Sequence, residues 1–387
     1  MNTNNGLQAA AEKRSRLFFV DHLRVALAIL VVLHHVAMVY GASIPFYYME
    51  PPLTDPLAYV VLLVFALLNQ AWFMGAFFLL AGYFAPGSTD RKGPGSFAVG
   101  KLVRLGIPLV FYVFVINPIA ETGFWLMPSD LTGITNPLTW KAYPKLIGLG
   151  PVWFVAMLLV FSLGYALWRV LAKDRTSVKS STPSYLGVGL FVLGLALASY
   201  LMRMVIPIGK SLFEFPTLAY LPQYLSFFVV GTVAYRRNWF RTLPGTMGVV
   251  GLVLALVAGV VLFPLGFSGQ FFKIDLAGLN NAMGNGHWQS AVYALFDSIF
   301  SVGLSMGAIV VFRRFVHRES RVGGFLARQS YAVYLLHIPV VVFLGYAMRR
   351  IQLPNLLKFG LAALVMVPAS FVVAWLVRKI PLVSRVL

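Results

Sequence analysis

The stretch DHLRVALAILVVLHH, residues 21–35, opens on Asp21, His22 and Arg24, closes on His34 and His35, and carries only aliphatic side chains between. A helix on the surface of a water-soluble domain would show a polar stripe in that interval; one that is apolar all round is enclosed by protein or lipid. With its flanks the run covers residues 17–40, longer than the ~20 residues needed to cross a hydrocarbon core of ~30 Å. It is read as a retained helix rather than a cleaved leader, because three ionisable residues interrupt its start and no small-residue cleavage site follows.

The rest of the chain repeats this pattern. Of 387 residues 59% are hydrophobic and only 11% are charged, where a soluble domain carries roughly a quarter. Further apolar runs lie at 57–84, 102–119, 151–171, 185–206, 218–235, 247–267, 288–312, 330–347 and 356–377, so an all-α, polytopic membrane protein of about ten transmembrane helices is expected. Alternate loops collect 22 of the Lys and Arg residues, and the opposite loops, in which Arg203 and Lys358 are counted, collect 8. Cations accumulate on the cytoplasmic side, so both termini are placed there, N-in and C-in. The expected organisation is a cytoplasmic tail over 1–16, one membrane domain over 17–380 and a cytoplasmic end over 381–387. The first dozen residues are expected to be disordered, and the outer segments 120–150 and 266–287 to form ordered caps.

The net charge of +19 would suggest nucleic acid in a soluble protein. Here topology accounts for it, no groove-reading motif is present, and no nucleic-acid partner is expected. The chain has no cysteine, which excludes a disulfide framework and a thiol nucleophile. No metal site is expected either: His34 and His35 are adjacent and diverge, with no carboxylate at ligand spacing.

Ionisable groups inside membrane helices are expensive and mark function by default. Arg24 and His35 are eleven residues apart, which on a helix leaves them ~20° apart around the axis and ~16 Å apart along it. They share one stripe at two depths, with Asp21 one turn from Arg24 and able to pair with it. His337 lies in SYAVYLLHIP (330–339), Asp297 in YALFDSIF (293–300), and Gln223 and Tyr224 open the sixth run, so a shared polar interior is expected. Lys101 and Arg104 in KLVRLGIP (101–108) sit three apart on one helical face and suit phosphates, with topogenic charge the plainer alternative. Trp125, Trp140, Phe271, Phe272 and Trp288 read first as interfacial anchors and secondarily as stacking surfaces for sugar rings.

Together these segments resemble the acyltransferase-3 family of bacterial membrane acyltransferases. The resemblance rests on Arg24 and His35, spaced as in that family's Arg-x10-His signature, on AFFLLAGYF (76–84) with Ala81 where serine is usual, and on KLVRLGIP with Lys101 in place of the first arginine. VWFVAMLL (152–159), with Trp153 and Phe154, and the late SYAVYLLHIP complete it. LPQYLSFFVVGTVAYRRNWF (221–240) and the C-terminal RKIPLVSRVL (378–387) look most like the branch that modifies glucans.

The resemblance implies an enzyme of the bacterial inner membrane that moves an acyl group from cytoplasmic acyl-CoA, as acetyl-CoA or succinyl-CoA, to a hydroxyl of an extracytoplasmic glycan. On that reading Lys101, Arg104 and Arg24 hold the donor, His35 is general base, and Asp21, Asp297, His337 and Tyr334 are candidates to assist it. Trp153, Gln223, Tyr224, Tyr331 and Trp288 are candidates for binding substrate, and membrane lipid surrounds the domain. A secondary transporter or exporter of a glycan or small anion is the alternative, although no repeat between halves is found. A scaffold for a glycan synthase is a third reading.

Overall fold

The structure, a computed structural model, describes residues 17–42, 44–50, 55–172, 181–212, 215, 218–267, 281–384 and 386. The expected disordered tail, most of the cap 266–287 and the pair Phe271 and Phe272 lie outside them. The described residues form helices and connecting turns, with one isolated bridge between Leu212 and Phe215 and no strand.

Among the described residues ten helical stretches are long and apolar enough to cross a membrane. They are α1 (Phe18–Tyr40), α2 and α3 (Pro56–Gln70 and Phe73–Lys92, which together make the second stretch), α4 (Pro94–Leu126), α5 (Trp153–Leu171), α6 (Tyr185–Val205), α7 (Leu221–Arg236), α8 (Gly245–Gly266), α9 (Trp288–Phe315), α10 (Arg321–Ala347) and α11 (Asn355–Val377). Several starts are written in the sequence. Asp55 accepts from the backbone N–H groups of Leu57 and Ala58, with Pro56 at the first helical position, and Ser184 and Ser320 cap α6 and α10 in the same manner.

Outward faces carry lipid-compatible side chains. Leu186, Leu190, Leu193, Leu197 and Leu201 form a stripe along α6 in which every residue is more than half exposed, while Leu195, Ala196 and Ser199 on the other face are buried. α1 is the central post, in contact with α2, α3, α9, α10 and α11. Between membrane helices close packing replaces the hydrophobic effect as the driving force, and small residues set the approach. At the α3–α7 crossing a Cβ on Gly82 would lie 2.0 Å from the Phe228 carbonyl oxygen, and one on Gly231 would lie 2.3 Å from that of Leu79. The glycine of AFFLLAGYF is therefore required by packing.

Three expectations are corrected here. The second run is two helices with a break at Ala71 and Trp72. Arg203 and Lys358, counted among loop cations, are both helical and buried. Lys358 pairs with Glu50, and Arg203 pairs with Asp297. The described part of the first cap, 120–150, is ordered into short helical turns, as expected.

Candidate active site

α1 and α10 bring His35 and His337 together. The ring centroids are 4.9 Å apart, and His35 Nδ1 lies 3.1 Å from His337 Nε2. The partners of each nitrogen fix the tautomers. His337 Nδ1 faces two acceptors, the carbonyl oxygens of Tyr334 at 2.8 Å and Val333 at 3.1 Å, so it must carry the proton. In the neutral ring Nε2 is then a lone pair. His35 Nδ1 faces that lone pair and the Val31 carbonyl oxygen at 2.9 Å, both acceptors, so it donates to them as a shared N–H. The Nε2 of His35 is left as the basic atom, and among the described residues no hydrogen bond engages it. Phe46, from the segment after α1, covers the His35 ring at 5.3 Å, and the neighbouring Tyr47 hydroxyl anchors that segment by donating to Asn117 Oδ1 at 2.8 Å.

Arg24 and Asp21 make the expected pair at 2.5 Å, and the Arg24 guanidinium lies 6.0 Å from the Phe84 ring centre. Beside Asp21, at the foot of α1 and α10, is a polar cavity of about 470 Å³ whose walls include His22, Ser320, Arg321 and Arg328. It sits directly below the two helices that carry the histidines. Lys101 is half-buried with its ammonium 5.4 Å from the Phe97 ring, and Arg104 is exposed.

The tyrosines of α10 do something other than expected. Tyr334 donates its hydroxyl to the Pro151 carbonyl, and Tyr331 donates to the Arg104 carbonyl at 3.0 Å. The second contact has a cause in α4. Pro108 has no N–H to offer the carbonyl four residues earlier, the helix widens into a π turn over Leu102–Gly106, and the tyrosine supplies the missing donor. The pattern recurs one step along: Pro118 follows the π turn Tyr112–Ile116, and Tyr143 donates to the Phe114 carbonyl at 2.7 Å. Tyr331 and Tyr334 buttress α4 and the start of α5; neither hydroxyl is aimed at the histidines.

Gln223 and Tyr224 serve the break between α2 and α3. An interrupted helix frees backbone groups that lipid cannot satisfy. Gln223 donates to the Ala71 carbonyl at 2.7 Å, Asn69 donates to the Leu30 carbonyl at 3.1 Å, and Gln70 donates to the Tyr224 hydroxyl at 3.1 Å. Tyr224 is stacked between Phe78 and Trp153, with ring centres 5.0 and 5.4 Å away. Asn69 and Gln70, adjacent polar residues inside an apolar run, were the available signal for this break.

Asp297 is not beside the histidines. It is buried against Arg203, with the Tyr220 and Tyr293 rings 4.9 and 5.3 Å from the guanidinium carbon. Trp288, at the start of α9, is 56% exposed and belongs to the periphery. His34 is buried, its ring 5.3 Å from Phe73 and edge-on to His35 at 5.4 Å.

A multi-span helical domain with paired imidazoles on its central helix and α10 can house a membrane transferase, and comparison with known proteins gives the class. Residues 17–378 match the acyltransferase-3 model, described as an acyltransferase domain, and the chain belongs to that family. Among curated proteins it is similar to Glucans biosynthesis protein C of Salmonella paratyphi B, Salmonella dublin and Salmonella enteritidis. Each is 21% identical over 390 residues, spanning 95% of this chain and 94% of the relative. No solved structure matches.

Proposed function

We propose that this membrane acyltransferase carries an acetyl or succinyl group from cytoplasmic acyl-CoA to a hydroxyl of an extracytoplasmic glycan, such as a periplasmic glucan, from the bacterial inner membrane with both termini inside. The observation that carries the reading is the hydrogen-bonded His35–His337 pair, which leaves His35 Nε2 as a lone pair. The acceptor O–H gives its proton to that nitrogen as its oxygen attacks the thioester carbonyl. The tetrahedral intermediate then expels the thiolate by breaking C–S, and the same nitrogen returns the proton to sulfur. The products are the ester and free CoA thiol. While His35 is protonated its Nδ1–H remains held by His337 Nε2 and the Val31 carbonyl, so the positive charge forms in a site already arranged to receive it.

The donor enters from the charged end. The cavity at the foot of α1 and α10 supports this, as does Arg24 on the His35 stripe ~16 Å below it. Lys101 and Arg104 remain in this scheme as outer contacts for the CoA phosphates. One feature favours an exporter instead, since interrupted helices are common at transporter binding sites. Here Gln223 takes up the Ala71 carbonyl freed at the break, and Asn69 and Gln70 tie the broken ends to α1 and α7. Purified protein in detergent, given acyl-CoA and glucose oligosaccharides, should release CoA thiol and form an acyl ester in equal amounts. Oligosaccharide flux into liposomes without acyl-CoA, and no ester in detergent, would establish the exporter.

A further inference from the structure

The Arg203–Asp297 cluster is unused by this mechanism, and its hydrogen bonding is incomplete. Arg203 is fully buried, and Asp297 accepts from its Nη2. Its Nε and Nη1 have no partner among the described residues, and neither do the hydroxyls of Tyr220, Tyr293 and Ser290. The Tyr220 and Tyr293 hydroxyls are neighbours without a properly aligned hydrogen bond between them. Each buried, unpartnered polar group costs about 1–3 kcal/mol. A purely structural ion pair would have these groups satisfied or replaced by apolar ones, at little loss and often a gain in stability. Five such atoms on three elements, α6, α9 and the turn leading into α7, describe a place where something else supplies the partners.

The chemistry of the five narrows the ligand. Arg203 and Asp297 cancel in charge, so the cluster has no surplus to hold an anion. The guanidinium offers only donors, while the three hydroxyls both donate and accept. A carboxylate or phosphate could only accept, which would leave the hydroxyls' acceptor sites unused and add a charge that the cluster does not balance. An alcohol uses both, and several hydroxyls on one ligand would satisfy the set. The position agrees: the cluster lies at the opposite end of the bundle from the start of α1 and the end of α11, where the acceptor arrives on the proposed orientation. The turn at 284–286 covers it, with the Asn285 N–H donating to the Arg203 carbonyl at 3.2 Å and with Asn285 and Gly286 at positive φ. From Tyr220 a row of rings runs through Tyr224 and Trp153 to Phe154, which meets Tyr334 one turn from His337.

We infer that Arg203, Asp297, Tyr220, Tyr293 and Ser290 form a polyol subsite that binds a sugar unit of the acceptor by its hydroxyls, distinct from the unit acylated at His35. The inference deepens the proposed function and rests on that reading for the identity of the ligand.

The test removes hydroxyls and nothing else. In the full chain, Tyr220→Phe with Tyr293→Phe should leave the unfolding temperature in detergent unchanged or raised, because each substitution deletes an unpartnered buried group. Calorimetric titration with glucose oligosaccharides should then show the Kd of the double variant raised about tenfold or more, equivalent to ~1.4 kcal/mol. The acceptor KM should rise in parallel, with kcat within about twofold of wild type. Ser290→Ala provides the same reading should the double variant fold poorly. Equal Kd in wild type and variants, or no saturable oligosaccharide binding to wild type, would overturn the subsite. Wild type that binds sugar, with the variants impaired, but transfers no acyl group would instead overturn the proposed function and leave the subsite standing.

Discussion

His35 and His337 are three hundred residues apart in sequence and share one proton line: a backbone carbonyl holds His337 Nδ1–H, His337 Nε2 accepts from His35, and His35 Nε2 is left as a lone pair. The arrangement separates two roles that a single alanine substitution would merge. His337→Ala removes the acceptor but leaves His35 its bond to Val31, so kcat should fall roughly 10- to 100-fold, a smaller loss than deletion of a general base, typically 10²–10⁴. His337→Gln can still present an acceptor oxygen and should recover part of that loss; single-turnover ester formation measures both. If the glutamine and alanine variants are equally slow, His337 does not act through its lone pair. Arg24 with Asp21 was legible in the sequence because both sit three residues apart in one apolar run. His337 was legible only as one of several candidates to assist His35, since the pairing is set by how α10 packs on α1.

At the level of elements, side chains from elsewhere in the chain repair backbone faults. The π turns of α4 follow from Pro108 and Pro118, and the tyrosines that complete them come from α10 and from the turn before α5. Tyr331→Phe should therefore cost about 1 kcal/mol in the native chain, and less when Pro108→Ala restores the N–H. Thermal unfolding of the two single variants and the double variant measures the coupling. Strict additivity would mean the hydroxyl does not replace the lost donor. The prolines were visible in the sequence, but Tyr331, which answers the first, reads there as a substrate contact, and Tyr143, which answers the second, carries no signal, because hydropathy shows a polar group without showing what it faces. The α2–α3 break was hidden for the same reason. It contains no glycine or proline, and its supports, Gln223 and Tyr224, arrive about 150 residues later.

Across the whole molecule, the ten apolar stretches and the central place of the first were readable because the membrane imposes length and hydropathy on every span. Arg203 was misread because a cation at the end of an apolar run looks the same in sequence whether it leaves the bilayer or turns inward to Asp297. The absence of cysteine makes the orientation directly measurable. A single cysteine at Arg318 should react with a membrane-impermeant thiol reagent only after the cells are opened, and one at Trp140, 83% exposed, should react in intact cells. The reverse pattern would place the charged loops outside and remove the cytoplasmic donor.

The central claim is that one nitrogen, His35 Nε2, takes the acceptor's proton. The most direct measurement compares wild type, His35→Ala and His34→Ala for ester formation from acyl-CoA and glucose oligosaccharide, at matched expression and unfolding temperature. The account expects His35→Ala to lose about 10²-fold or more in kcat and His34→Ala to keep activity within about tenfold of wild type. Near-normal turnover by the His35 variant would contradict it.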